Sequence, residues 1–300
     1  MTRIWRYAIL KTVAELYYTK EVVNMKFDLK QTAKEKLIIV AHRGVWNGNI
    51  PCNTIPAYKA ALTQGADMIE IDVDMSADKE LFIFHPGMEK VFLSTDKKIG
   101  EMTGEEIRTL RYGNYDRTPT QFGLNTLEEV LEEFKGKCYI NVDKFWLYPR
   151  EITEMIRRHG MMEQILVKTT PQDKYLDIIE EFCPDVQYLS MVSNPDDIER
   201  IKTRKINYIG NEVLFSSDDS PFATAEFVED QHKNGLLVWC NAIVYSYRAI
   251  LAAGHNDDIS AADDPDNGWG WIADRGYDFM QTDWPLMAIE YLKKKGKLYR

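Results

Sequence analysis

The feature that most constrains this chain is an alternation of strand-like and helix-like segments. Short strand patterns fall at 37–42, 68–74, 81–85, 138–143, 165–169, 186–192, 207–214, 236–242 and 278–282. Between most of them lie amphipathic helical patterns, at Thr54–Thr63, Thr126–Phe134, Pro149–Arg158, Pro171–Phe182, Pro195–Lys202 and Ala223–Lys233. Such βαβ rhythm predicts a parallel sheet, and about eight units predict a closed barrel. The strand patterns are one too many for that. Met75 to Glu80 is too short for a helical crossover, so the strands on either side form a hairpin, and one of them runs antiparallel or lies outside the regular barrel. At 300 residues with 45% apolar content, the chain can bury one large core, and a single α/β barrel of roughly 250 residues uses most of it.

Two stretches break the rhythm. Residues 86–125 hold MTGEEIRTL, a short helix with Thr103 placed as its N-cap, and read as a small inserted subdomain. Residues 254–271 are acidic and aromatic and too long for a plain connection. They read as a solvated loop, with a lid or a second cation site as alternatives. The expected organisation is a helical N-terminal extension over 1–36 and a barrel domain over 37–294.

Charge and cysteine usage exclude several classes. A net charge of −10 argues against a nucleic-acid or anionic-membrane binder, which needs a broad basic surface. Cys52, Cys138, Cys183 and Cys240 show no CxxC spacing and read as buried thiols. Arg3, Arg6, Lys11, Glu15 and Lys20 interrupt the N-terminus, leaving no apolar core of signal-peptide length, and a cytoplasmic location is expected. Trp5, Ile9, Val13, Leu16 and Tyr17 recur at helical spacing. They suit either peripheral contact with a membrane surface or a helix packed on the barrel. No charge-free run is long enough for a transmembrane span.

The chemistry lies where strands stop. LIIVAHRG ends an apolar run in His42, Arg43 and Gly44. In IEIDVD, Glu70 and Asp72 are two apart on a strand, so they face the interior together while Ile69, Ile71 and Val73 face the helices. Two buried anions require either a divalent metal or a paired arginine. Asp143 ends the run CYINVD and adds a third carboxylate, making an oxygen-only set suited to Mg²⁺ or Ca²⁺. Lys144 follows it, as a phosphate ligand or a simple partner of the carboxylate. His85 closes LFIFH as His42 closes LIIVAH, and two imidazoles at strand ends suit a general acid and a general base. Trp239 and Trp284 end later strand patterns and are candidates to wall a substrate group.

In this order, HRG at 42–44, NT at 53–54, GADMIEIDV at 65–73, His85, TLEEVL at 126–131 and YDFMQTDWP at 277–285 resemble the glycerophosphodiester phosphodiesterase family. The resemblance implies a TIM-type barrel with a small insertion, one divalent cation, and hydrolysis of glycerophosphodiesters to glycerol 3-phosphate and an alcohol. It implies His42 and His85 as the acid–base pair, with His42 expected as base and His85 as acid. It also implies Glu70, Asp72 and Asp143 as metal ligands and Arg43 as a phosphate ligand, with the glycerol's neighbouring hydroxyl as attacker, giving a cyclic phosphate that water then opens. Lys144 and Trp239 complete the expected substrate contacts. The chain departs from the family pattern at Cys52, where a glutamate is usual, at Pro86, where an aspartate is usual, and at Phe145, where a lysine is usual. A phospholipase C- or D-like lipid phosphodiesterase, a glycosidase and a noncatalytic phosphate-binding relative are the rival readings.

Overall fold

The computed structural model of the protein describes residues 26–300. Eight parallel strands form a closed barrel: β1 (Ile38–Ala41), β2 (Met68–Met75), β4 (Tyr139–Asp143), β5 (Ile165–Thr169), β6 (Gln187–Val192), β7 (Tyr208–Val213), β8 (Leu237–Asn241) and β9 (Phe279–Thr282). Closure comes from β1, which pairs with β2 on one side and β9 on the other. The surplus strand is β3 (Leu81–Ile83), the antiparallel second arm of a hairpin on β2, with Val73 opposite Ile83.

The helices form where the patterns place them. Thr54 and Thr126 accept from the backbone of Ala57 and Glu129, capping the helices Ile55–Thr63 and Leu127–Phe134. Such a cap contributes about 1 kcal/mol. Leu29–Glu35 forms inside the expected N-terminal helical extension, whereas the helix Pro285–Lys295 was not anticipated. In the first, Leu29 and Ala33 stand four residues apart on one face and seal the barrel floor against Ile38, Val40, Tyr139 and Phe279. The amphipathic pattern from Trp5 to Tyr17 lies outside the described residues.

Strand alternation sorts the core into two layers. Ile39, Ile69, Ile71, Val142 and Val238 pack outward against the helices, each contributing roughly 1.5–3 kcal/mol through burial. Inward positions are apolar at the floor, whereas higher up they are polar yet buried: His42, Glu70, Asp72, Asn141, Asp143, Lys168, Glu212 and Asn241. Buried polar groups cost free energy unless they are paired, so this layer marks the site.

The segment after β3 carries an apolar cluster of its own, including Phe84, Ile99, Met102, Ile107 and Tyr112. There Thr103 and Glu106 exchange hydrogen bonds to start the helix Gly104–Thr109. Residues 254–271 correct the expectation of a solvated loop. They fold into the helix Asp257–Ala262 and a π-type turn over Asp266–Gly270, with His255, Asp257 and Trp269 buried. The acids and aromatics that looked solvent-directed satisfy one another: the Trp269 indole donates to Asp257 at 2.7 Å, and His255 stacks on Trp271 at 3.8 Å. All four cysteines are buried and free. Among the described residues no helix is long and apolar enough to cross a membrane.

Candidate active site

The His-Arg-Gly turn at the end of β1 organises one side of the barrel mouth. Arg43 and Gly44 both adopt positive φ, +56° and +79°. A Cβ at Gly44 would lie 2.7 Å from the Ala57 backbone, so only glycine fits there. The turn aims the Arg43 backbone N–H at Glu70 Oε2, 2.8 Å away, and its guanidinium Nε at Asp72 Oδ2, 3.0 Å away.

Register brings the carboxylates together. Asp72 on β2 stands opposite Asp143 on β4, one step above the Glu70–Asn141 pair. Glu70, Asp72 and Asp143 each offer an oxygen, and these oxygens lie within 4.8 Å of one another. Burial, reinforced by Asp72, pushes Glu70 up to about 7. Burial also opposes ionisation of Asp143, but Lys144 and Lys168 outweigh it and hold that carboxyl down at about 2. Asp72 Oδ1 is buried without a hydrogen-bond partner. An orphaned anionic oxygen facing two further carboxylates, with no nitrogen or sulfur donor among the three, fits a hard divalent cation. The arginine pairing and a cation are compatible, since Arg43 engages one Asp72 oxygen and leaves the other without a hydrogen-bond partner.

Asn53, also at positive φ, locks Asp72 in place. Its amide donates to Asp72 Oδ2 at 2.8 Å, while its oxygen accepts from the Asp72 N–H and the Tyr58 hydroxyl. Lys144 lies 3.1 Å from Asp143 and 3.9 Å from Asp72 Oδ1, so its ammonium sits against the acidic cluster.

The two histidines differ in support. His42 is buried, and its Nδ1 is 2.9 Å from Asp283 Oδ1. Burial lowers its pKa, but the Asp283 hydrogen bond and the charge of Glu70 outweigh it, and the net shift is upward. Asp283 is held in turn: its N–H donates to Asp257 Oδ2 at 2.7 Å, and Asp257 also accepts from Trp269 and Thr282. The Tyr245 ring stands edge-on to His42 at 5.9 Å. His85 follows β3, where the Phe84 N–H pairs with the Asp72 carbonyl and so carries the next residue over the cluster. Its Nδ1 contacts the Pro86 carbonyl at 2.9 Å, and burial lowers its pKa.

Trp239 is a correction. Its indole is wholly buried in the barrel, stacked on Phe279 at 5.1 Å and donating to Asn241, so it supports the site from below and offers no surface to a ligand. Trp284 is 47% exposed at the rim. Directly above Trp239 lies a buried ion pair that the motifs did not flag, Lys168 with Glu212 at 2.8 Å. Asn241 donates to the other Glu212 oxygen at 2.6 Å. Asp283, Asp257, Lys168 and Glu212 were all missed as site residues. For Lys168 and Glu212 the available signal was a charge inside an apolar strand, and for Asp283 it was the same strand-end placement that marked His42.

Fold and site together define a TIM-barrel protein with a buried carboxylate cluster at the C-terminal barrel mouth, within the electrostatic reach of His42 and His85. Residues 42–242 match the Glycerophosphoryl diester phosphodiesterase family, and the chain belongs to that family. Two curated relatives, both named glycerophosphodiester phosphodiesterase, come from Caldanaerobacter subterraneus and Bacillus subtilis. The first is 29% identical over 45% of this chain and 58% of its own length, the second 28% over 56% and 66%. The chain therefore spans less than two thirds of the length of these relatives. Among solved structures, a glycerophosphoryl diester phosphodiesterase from Parabacteroides distasonis superposes with a TM-score of 0.71 at 17% identity, covering 91% of this chain and 95% of that one. An Oleispira antarctica phosphodiesterase, solved in complex with the product sn-glycerol-3-phosphate, gives 0.62 at 19% identity, covering 86% and 97%. At such identities the likeness shows the fold.

Proposed function

We propose that the protein hydrolyses glycerophosphodiesters to glycerol 3-phosphate and an alcohol, with one divalent cation held by Glu70, Asp72 and Asp143. The observation that carries this reading is the buried three-carboxylate cluster flanked by Arg43 and Lys144, with His42 held nearby by Asp283. The family relatives named for this activity, and the glycerol 3-phosphate seen in the Oleispira protein, support the substrate class. Mg²⁺ and Ca²⁺ both suit the oxygen-only donor set. When bound, the cation supplies positive charge to the phosphate's non-bridging oxygens.

The chain's own groups do the rest. Arg43 and Lys144 offset charge that builds on the phosphate in the transition state. Asp283 accepts a hydrogen bond from Nδ1–H of His42, which leaves Nε2 free to accept a proton from the attacking hydroxyl and stabilises the imidazolium that forms. His85, with Nδ1 turned to the Pro86 carbonyl, keeps Nε2 for the departing alkoxide and protonates it from the charged ring, after which water opens the cyclic phosphate to glycerol 3-phosphate. The test is release of glycerol 3-phosphate from glycerophosphocholine and related diesters with Mg²⁺, Ca²⁺ or chelator, beside the His42→Ala and His85→Ala proteins. Chelation should abolish release, and each substitution should cost on the order of 10²–10⁴ in rate. Near-normal turnover in both variants would sink the assignment.

A further inference from the structure

A cleft of about 560 Å³ opens between the loop after β1 and the segment after β3, a volume in the range of small-molecule sites. Its walls are Trp46, Ile50, Val91, Phe92 and Tyr115, and its inner end is Cys52. Trp46, Val91 and Tyr115 are 51%, 53% and 99% exposed, an unusual concentration of large apolar surface left open to water at one place. The two walls meet where the Asn114 amide donates to Asn49 at 3.4 Å.

The cleft borders the catalytic centre at Cys52, which lies within the electrostatic reach of Arg43, Asp72 and Glu70. Cys52 precedes Asn53, whose amide donates to Asp72 Oδ2, so the cleft ends one residue from the carboxylate cluster. Burial pushes the Cys52 thiol up to about 12, which keeps it neutral and apolar at the position where the family pattern has a glutamate. The charged residue lining the cleft is Arg117, and its other polar groups are the amides of Asn47, Asn49 and Asn114. Among the described residues no carboxylate lines it. An ammonium group entering here would find no carboxylate to pair with and would meet a guanidinium, which offsets the attraction of the Trp46, Phe92 and Tyr115 rings. An alkyl or aryl group would instead cover Trp46, Ile50 and Val91 and remove their apolar surface from water.

We propose that this cleft is the subsite for the alcohol-side substituent of the phosphodiester, and that it selects uncharged, largely apolar substituents over cationic amino alcohols. The inference rests on the phosphodiesterase reading above and narrows its substrate class.

The experiment uses the full chain with Mg²⁺ or Ca²⁺ and a series of glycerophospho-n-alkanols from ethyl to octyl, all below their aggregation concentrations, beside glycerophosphocholine. Alongside turnover, equilibrium affinity for each diester is read by calorimetry. The expected result is a rise in kcat/KM and in affinity of about twofold per added methylene in this half-open site, with glycerophosphocholine below the butyl diester. Val91→Asp and Trp46→Ala, at positions exposed enough for the fold to tolerate them, should each flatten the chain-length dependence. Arg117→Glu should raise glycerophosphocholine relative to the butyl diester. A flat series, or a slope that neither cleft variant changes, overturns the proposal. A rise confined to aggregated substrate or phospholipid vesicles also overturns it, in favour of docking to a lipid surface. Affinity that tracks chain length without turnover of any diester would support the cleft while refuting the reading of the reaction.

Discussion

Replacing Asp283 by asparagine tests how His42 is prepared for its task. The carboxylate oxygen is 2.9 Å from Nδ1 of an imidazole that is only 8% exposed, so solvent does little to replace what is removed. Asparagine keeps an acceptor for the Nδ1 proton and hence the tautomer, but it loses the charge. A hydrogen bond to a charged partner contributes about 1.5–3 kcal/mol and a neutral one about 0.5–1.5. The difference of about 1–1.5 kcal/mol predicts a fall of roughly tenfold in kcat/KM, with KM nearly unchanged. The pH dependence has a defined sign. Burial lowers the His42 pKa, and the Asp283 bond and Glu70 raise it by more, so removing the carboxylate moves the acidic limb of the rate profile to lower pH. Stability should follow the same logic. Stabilisation from a raised histidine pKa is fully present below the unfolded value and is lost as pH rises through the folded one. The variant should therefore lose more Tm near pH 5.5 than near pH 9. The assay is phosphomonoester release across pH with thermal melts on the same samples. An unshifted profile and a rate within twofold of the parent would refute the role given to Asp283.

Three further outcomes follow from the buried network. Lys168 and Glu212 are 2% and 5% exposed, so Lys168→Met strands a buried carboxylate at a cost of about 3–5 kcal/mol. In a domain of this size that lowers Tm by roughly 5–9 °C. Adding Glu212→Gln should recover at least half of the loss, and a single-variant drop under about 2 °C would contradict the pairing. Saturation with Mg²⁺ or Ca²⁺ at about a hundred times Kd should add about 2.7 kcal/mol, read as a Tm rise that chelator reverses and Asp72→Asn abolishes. No metal-dependent shift in the parent would remove the cation from the mechanism. Asp257→Asn presents an amide N–H where three donors now converge, costing about 1–3 kcal/mol. Burial pushes Asp257 up to about 7, so its protonated form is the comfortable one, and the stability it contributes is lost as pH rises through that value. The variant's deficit in thermal melts should be larger at pH 5 than at pH 8, and the reverse order would contradict that linkage.

Much of the fold was legible because strand and helix periodicities are local properties of the chain. The expected strand runs coincide with β1 to β9 within a residue or two, and the six-residue gap before Leu81 exposed the hairpin. Residues 254–271 were misread because their acids and aromatics signal solvent until each has found its partner, as Asp257 does with Trp269. Trp239 was misread for a related reason: a strand-end tryptophan looks the same in sequence whether it caps the site or lies beneath it.

The sequence by itself determined the alternation that makes a barrel and the polar residues at strand ends. Only the tertiary structure decided which of those residues meet. Asp283 reaches His42 across 241 positions of chain. Register on β2 and β4 sets Asp72 against Asp143, and the Lys168–Glu212 pair spans β5 and β7. The physical reason is that periodicity fixes the face on which a side chain stands, whereas its partner depends on strand register, barrel closure and the packing of distant loops, which no local pattern encodes.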